Sequence, residues 1–346
     1  MGRKAWASYR GRVARLKLGA DPGGNLSPAN HPRVFSRAWP CTTMSADPLW
    51  QLSGIFLGPA RLREVTLTIE RGITAVVGWS GAGKTSLLNL LAGFEKPARG
   101  EISGTPRVAW VPQRGGLWAH CTAREHLEIA RPAARGMDGL LAAFDLAGKA
   151  DARPGELSEG EQSRLAVARA LAAEAEVLVM DEPLVHVDPA RAGKYWRVIR
   201  ERLAESGASL VFATHEPEAA LGEATRAICL REGRVLHAGP VEELYARPPS
   251  AELMGFLGPG NWFTPEEARA WLGIELAAGR GFRPEEIEIA TTERGAFVVE
   301  SARFRGAFAE VELRASSGGE TRQFVHRPRR AMRGAGSRVE MRVLPP

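Results

Sequence analysis

The chain has 346 residues, 44% of them hydrophobic and 25% charged, a balance that fits a globular protein with room for more than one domain and excludes a collagenous or wholly disordered chain. No window approaches the roughly 18 consecutive apolar residues of a transmembrane helix, so any pore is expected to be a separate polypeptide. The net charge of +6 invites a nucleic-acid reading, but residues 1–44 hold eight Lys/Arg against one acid, Asp21, which leaves the remainder close to neutral. The three cysteines, Cys41, Cys121 and Cys229, are too dispersed for a disulfide framework or a metal cluster, as expected in a reducing compartment.

Residues 1–45 read as a basic, disordered leader with Pro22-Gly23-Gly24 and no apolar signal-peptide core. Either it is an extension upstream of a true start at Met44, or it is an arm that touches anionic lipid or nucleic acid. Further on, the apolar run Ile73 to Val77 leads into Gly78-Trp79-Ser80-Gly81-Ala82-Gly83-Lys84-Thr85 and then Ser86-Leu87-Leu88-Asn89-Leu90-Leu91. Strand, glycine loop and helix in that order make a phosphate-binding loop: glycines turn successive backbone N–H groups inward at the positive end of a helix. Lys84 is then expected to reach the β- and γ-phosphates of a nucleoside triphosphate, and the Thr85 hydroxyl to coordinate Mg²⁺.

Gln113 follows the short strand Val108 to Val111, and His215 follows Leu210 to Ala213. Both therefore sit at strand carboxyl ends, where open α/β sheets place their ligand crevice. Val177 to Met180 reads as a buried parallel strand that delivers Asp181 and Glu182 to the same crevice, Asp181 to hold Mg²⁺ and Glu182 to orient or deprotonate water. Thr122-Ala123-Arg124-Glu125 and Ser158-Glu159-Gly160-Glu161 have capping-box spacing, which opens helices there, and Asp138 to Leu146 reads as another helix.

These motifs, in this order, resemble an ABC-type ATPase. Gly78 to Thr85 matches Walker A, Gln113 the Q-loop, Leu157 to Gln162 the signature, Asp181 and Glu182 Walker B, Val185 to Asp188 the D-loop, and His215 the switch. The resemblance implies that ATP and Mg²⁺ are bound by Gly78, Ser80, Gly81, Ala82, Gly83, Lys84, Thr85 and Ser86, with Thr85, Gln113 and Asp181 toward the metal. It implies that Glu182, His215 and Gln113 serve catalysis. Ser158, Gly160 and Asp188 would act across a homodimer, because the signature of one cassette closes on the nucleotide of the other. Glu159 stands where the family has glycine and Glu161 where it has glutamine, so extra acid is expected to weaken that contact. Phe56, 28 residues before Lys84, either stacks on adenine as in the family or is a core residue.

After His215 a hairpin is expected at Ala227 to Leu236, then a helical stretch from Pro240 to Leu257 broken at Pro248-Pro249. Gly281-Phe282-Arg283-Pro284-Glu285 resembles the entry of the small TOBE domain of importer ATPases, and short alternating strands at Phe297 to Val299, Ala307 to Leu313, Arg322 to His326 and Arg338 to Val343 suit a small OB-like barrel. The expected fold is thus an α/β P-loop cassette over 46–239, with a parallel-sheet core, an N-terminal antiparallel β piece and a helical subdomain near 115–157. A helical linker over 240–277 and an OB-like domain over 278–346 complete it. The resemblance implies an ATP-hydrolysing importer subunit on the cytoplasmic face of the plasma membrane. Its partners would be transmembrane permease subunits and, indirectly, an extracytoplasmic solute-binding protein; nucleic acid is not an expected partner. The resemblance implies an inorganic ion (iron, sulfate or molybdate), a polyamine or a sugar as solute, and among these the short tail favours an ion. The rival readings are a cassette ATPase acting on DNA or ribosomes, which would need a coiled-coil insertion or a second cassette, and a non-hydrolysing regulatory subunit, which would lack Glu182.

Overall fold

The structure is a computed structural model that describes residues 48–344, except 60, 115, 132–136 and 329–333. The expected leader, with Met44 and Cys41, lies outside the described residues. Strands β1 (Trp50–Leu57) and β2 (Leu62–Ile69) alternate buried and exposed residues, and β3 (Ile73–Gly78) is buried along its whole length. After helix α1 (Lys84–Leu91), strand β4 (Arg99–Ser103) pairs with β1 and completes the antiparallel sheet β2-β1-β4.

Strand β5 (Val108–Val111) is followed by α2 (Ala123–Ala130), α3 (Met137–Ala143) and α4 (Glu159–Ala172), then β6 (Val177–Asp181), α5 (Pro189–Ser206), β7 (Ser209–Thr214), α6 (Pro217–Glu223), β8 (Arg226–Arg231) and β9 (Arg234–Pro240). The central sheet has the order β5-β6-β7-β3-β8-β9, with β9 antiparallel at one edge and the other strands parallel. Strands β3, β6 and β7 at its centre are buried along their whole length because both faces are covered there. On one face Val76, Val177, Val179 and Val211 pack with Leu87, Leu88 and the antiparallel sheet; on the other, Val77, Leu178, Met180 and Phe212 pack with α4 and α5. The chain leaves β3 toward one side of the sheet and returns to β8 on the other, so β3 sits at the switch point where a ligand crevice opens.

Both expected capping boxes are present, at Thr122/Glu125 and Ser158/Glu161. The second helix of the helical subdomain stops at Ala143 rather than Leu146, and Asp145 turns left-handed with φ 55°. There its carboxylate accepts hydrogen bonds from Tyr195 Oη at 2.7 Å and Arg191 at 2.7 Å on α5, and this tie to another element outweighs one more helical turn.

Beyond β9 lie α7 (Val241–Ala246), α8 (Ala251–Leu257), β10 (Asn261–Phe263), α9 (Pro265–Leu272) and β11 (Arg280–Phe282). Here the expected helical linker over 240–277 needs correction. Asn261 to Phe263 is a strand paired with β11, and Phe263 and Ala268 belong to the apolar cluster of the C-terminal domain. That domain therefore begins near residue 261, because the Phe263 ring packs on Phe282 and Phe324, at 5.7 and 6.0 Å. Strands β12 (Ile287–Thr291), β13 (Phe297–Phe304), β14 (Ala309–Ala315), β15 (Thr321–His326) and β16 (Arg338–Val343) form an antiparallel sheet in the order β12-β16-β13-β14-β15. Its inward residues converge on one cluster, as a small OB-like domain requires.

Arg283 joins this domain to the cassette. The side chain is buried, its Nε donates to the Tyr245 carbonyl at 2.9 Å and its guanidinium lies 3.9 Å from the Tyr245 ring centre. Its Nη1 donates to the carbonyls of Gly258 and Pro259 at 3.3 and 3.1 Å, just past the end of α8.

Candidate functional site: the phosphate-loop cavity

At the carboxyl end of β3 the chain turns through Gly78, at φ 148°, where a Cβ would lie 2.2 Å from the Leu230 carbonyl oxygen. Gly83, at φ 105°, would bring a Cβ within 2.6 Å of the Arg61 carbonyl oxygen. No other residue type fits either place, so the loop keeps its backbone close to its neighbours. Lys84 begins α1 and turns its ammonium back over the loop, donating to the carbonyls of Gly78 at 2.8 Å and Trp79 at 3.1 Å. Burial lowers its pKa, opposed by the nearby carboxylates of Glu182 and Asp181.

Below the loop, Thr85 Oγ1 donates to Asp181 Oδ2 at 2.7 Å. Asp181 is only 2% exposed, and desolvation raises its pKa against the opposing pull of Thr85 and Lys84. Glu182 follows with φ 51°, a conformation uncommon outside glycine and costing about 1–3 kcal/mol. A backbone bond from its N–H to the Ala213 carbonyl, at 3.0 Å, helps to hold it there. The turn carries the Glu182 carboxylate to the end of the neighbouring strand β7, where Oε2 lies 2.5 Å from His215 Nδ1. The Glu182 side chain is 8% exposed and that of His215 is 53% exposed, so the pair has one foot in the fold and one at the mouth.

Gly78 to Ser86, Gln113, Asp181, Glu182 and His215 line one cavity of about 760 Å³, together with Pro59, Arg61 and Phe256. Gln113 and Glu182 also line an adjoining cavity of about 340 Å³, shared with Glu159 and His186. Four expected binding residues, Phe56, Ser158, Gly160 and Asp188, do not line the first cavity. Ser158 caps α4, accepting from the Glu161 N–H, while the Glu161 carboxylate accepts from the Ser158 N–H at 2.8 Å. The acid that replaces the family's glutamine is thereby folded back onto its own helix end. Gly160 lies under the loop after β6, and a Cβ there would meet the His186 carbonyl oxygen at 2.8 Å. Asp188 caps α5 by accepting from Ala190 N–H at 2.9 Å.

Phe56, for which stacking on adenine and a core role were both open, does not line this cavity. It lies on β1 opposite Arg99 of β4, beyond a register shift, with only part of its surface exposed, and Pro59 and Arg61 of the following turn line the cavity instead. Sequence reasoning gave no role to Arg61, Trp79 or Phe256. Trp79 stood inside the loop motif and could have been singled out, whereas nothing local links Phe256 to a loop 172 residues away.

A hydroxyl, a buried carboxylate and an amide are hard oxygen donors, and so few protein ligands suit Mg²⁺, which keeps waters and substrate oxygens in its sphere. Thr85, Asp181 and Gln113 thus fit the ion.

The family model described as ABC transporter matches residues 62–185. The Fe(3+) ions import ATP-binding protein FbpC 2 of Rhodococcus jostii is 33% identical over 326 residues, covering 84% of this chain and 94% of that protein. The chain belongs to the ABC transporter family, as an importer-type ATP-binding subunit. The spermidine/putrescine import ATP-binding protein PotA 1 of Pseudomonas aeruginosa is also 33% identical, over 75% of this subunit and 84% of its own length. The thiamine import ATP-binding protein ThiQ of Cereibacter sphaeroides is 38% identical over 54% of this subunit and 88% of its own length. Among solved structures, a dimeric ATP-binding cassette in a post-hydrolysis state bound to ADP and Pi matches with a TM-score of 0.50 and 25% identity, over 56% of this subunit and 98% of that chain. Among the described residues, no helix of the subunit is long and apolar enough to cross a membrane.

Proposed function

We propose that this chain is the ATP-hydrolysing subunit of an importer, coupling Mg²⁺-dependent hydrolysis to uptake of a small solute through separate permease subunits at the cytoplasmic face of the membrane. The observation that carries the reading is the Glu182–His215 hydrogen bond at the rim of the phosphate-loop cavity, above the Thr85–Asp181 pair. Phosphoryl transfer to water needs positioning and charge stabilisation, and this arrangement offers both.

In the proposed reaction, the Lys84 ammonium leaves the Gly78 and Trp79 carbonyls and donates to the β- and γ-phosphates instead. The attacking water's oxygen bonds to the γ-phosphorus, its proton passes to the Glu182 carboxylate, and the bond from the γ-phosphorus to the bridging oxygen breaks to release ADP. His215 holds the Glu182 carboxylate in place, and Gln113 faces the same space. Thr85, Asp181 and Gln113 would hold Mg²⁺, which supplies charge neutralisation on the phosphates when bound. The positive end of α4, carrying Ser158 and Gly160, is open for a second subunit's nucleotide, which makes a homodimer with two shared sites the working form.

For the solute we propose an inorganic ion. Relatives named for Fe(3+) and for sulfate/thiosulfate import support this, although others are named for spermidine/putrescine and thiamine. The test is phosphate release and solute uptake by the subunit reconstituted with its permease in vesicles, offered ferric iron, sulfate, putrescine and thiamine in turn. Uptake that stops with Glu182→Gln supports the reading. Phosphate release absent from the wild-type complex would overturn it.

A further inference from the structure

The Trp79 carbonyl accepts from both the Lys84 ammonium and the Ala82 N–H, each at 3.1 Å, so the place of Trp79 sets the shape of the phosphate loop. Its indole is only partly buried, at the edge of the core cluster. It packs on Phe256 of α8, with ring centres 5.0 Å apart and planes inclined at 49°. The Arg231 guanidinium lies 5.9 Å from the Trp79 ring centre and is ion-paired with Glu252, which stands one turn before Phe256 on α8. One face of α8 is thus directed at the loop, and Phe256 lines the same cavity as Lys84 and His215. The end of α8 that carries Phe256 is held by Arg283, through the carbonyls of Met254, Gly258 and Pro259.

We propose that Phe256 is a positioning residue for nucleotide binding: through Trp79 it fixes the carbonyl that parks the Lys84 ammonium, and through α8 it makes the phosphate loop answer to the C-terminal domain. The inference rests on the ATP-binding reading above and adds a residue that no cassette motif contains. An aromatic pair of this kind changes an equilibrium about two- to tenfold beyond its buried area. Removing the Phe256 ring takes away one of the indole's contacts and lets the loop reach other shapes, so ATP meets a less prepared site.

The experiment compares the full chain with Phe256→Ala, Phe256→Tyr and Trp79→Phe, reading MgATP affinity by calorimetry, KM and kcat by phosphate release, and tryptophan emission with and without MgATP. The chain holds nine tryptophans, so the Trp79→Phe variant identifies the share of the emission change that belongs to Trp79. Expected are a two- to tenfold weaker affinity and a KM raised more than kcat is lowered for Phe256→Ala, recovery in Phe256→Tyr, and a nucleotide-dependent emission change that Phe256→Ala diminishes and Trp79→Phe abolishes. A merely structural Phe256 would lower the melting temperature and leave KM and emission alone. Wild-type affinity and emission in Phe256→Ala overturn the inference while leaving the ATPase intact, whereas a wild-type chain that binds no MgATP overturns the ATP-binding reading and the inference together.

Discussion

His215 Nδ1 and Glu182 Oε2 lie 2.5 Å apart, which ties the end of β7 to the residue that ends β6. The pair holds the carboxylate in the direction that the left-handed turn at Glu182 aims it. Replacing Glu182 by Gln keeps the shape and removes the proton acceptor. Hydrolysis should slow by two or more orders of magnitude while MgATP affinity stays within a few-fold, whereas Lys84→Ala should weaken binding itself. Near-normal single-turnover phosphate release by Glu182→Gln would place the base elsewhere.

Asp181 carries a cost that its function requires. Burial raises its carboxyl above the unfolded value. The group therefore favours the fold below the ordinary carboxyl range, and that contribution is lost as pH rises through the folded value; at neutral pH its charge works against the nucleotide-free fold. Asp181→Asn should raise the melting temperature of the nucleotide-free protein at pH 7, with the gain shrinking toward pH 4, and should abolish Mg²⁺-dependent turnover. A melting temperature that falls at pH 7 would show that the Lys84 and Thr85 contacts outweigh the burial.

The parts of this site legible in the sequence are those set by neighbours within a few residues. Strand, glycine loop and helix around Lys84, the two capping boxes, and the acids closing an apolar strand each state their own geometry. Glu182 at φ 51° was not legible, because a non-glycine residue in that region is held by a distant carbonyl, that of Ala213. Asn261 to Phe263 was hidden for the same reason: three residues between two helices become a strand only because β11 pairs with them. For Phe56, spacing from Lys84 left two places open, and the turn at Pro59 and Arg61, not Phe56, lines the cavity.

His326 gives the C-terminal domain a pH limit. It is buried on β15, and burial lowers its pKa from 6.5 to about 4. A neutral imidazole is thus favoured in the fold, and its contribution is full above the unfolded value and lost as pH falls from 6.5 through about 4. The loss amounts to about 3 kcal/mol at most. His326→Gln should flatten the fall in stability over that range. The difference between variant and wild type in denaturant titrations separates His326 from His126 and His237, which burial also lowers. Parallel pH profiles would refute the assignment.

Glu159, where the family has glycine, stands in the first turn of α4, and its Oε2 lies 3.6 Å from His186 Nδ1. Glu159 is exposed, so it faces whatever closes over that end, and an acid there opposes a triphosphate held by a second subunit. Glu159→Gly should therefore raise turnover per chain by a few-fold. Gly160→Ala should do the reverse, since its Cβ would press on the His186 carbonyl oxygen and displace the loop that begins at Glu182. Monomer affinity for MgATP should survive both changes, because neither residue lines the phosphate-loop cavity. Light scattering of the Glu182→Gln protein should show a dimer that requires ATP, and activity per chain of the wild type should fall on dilution. A wild-type chain that stays monomeric with ATP at undiminished activity per chain would remove the shared site from the mechanism.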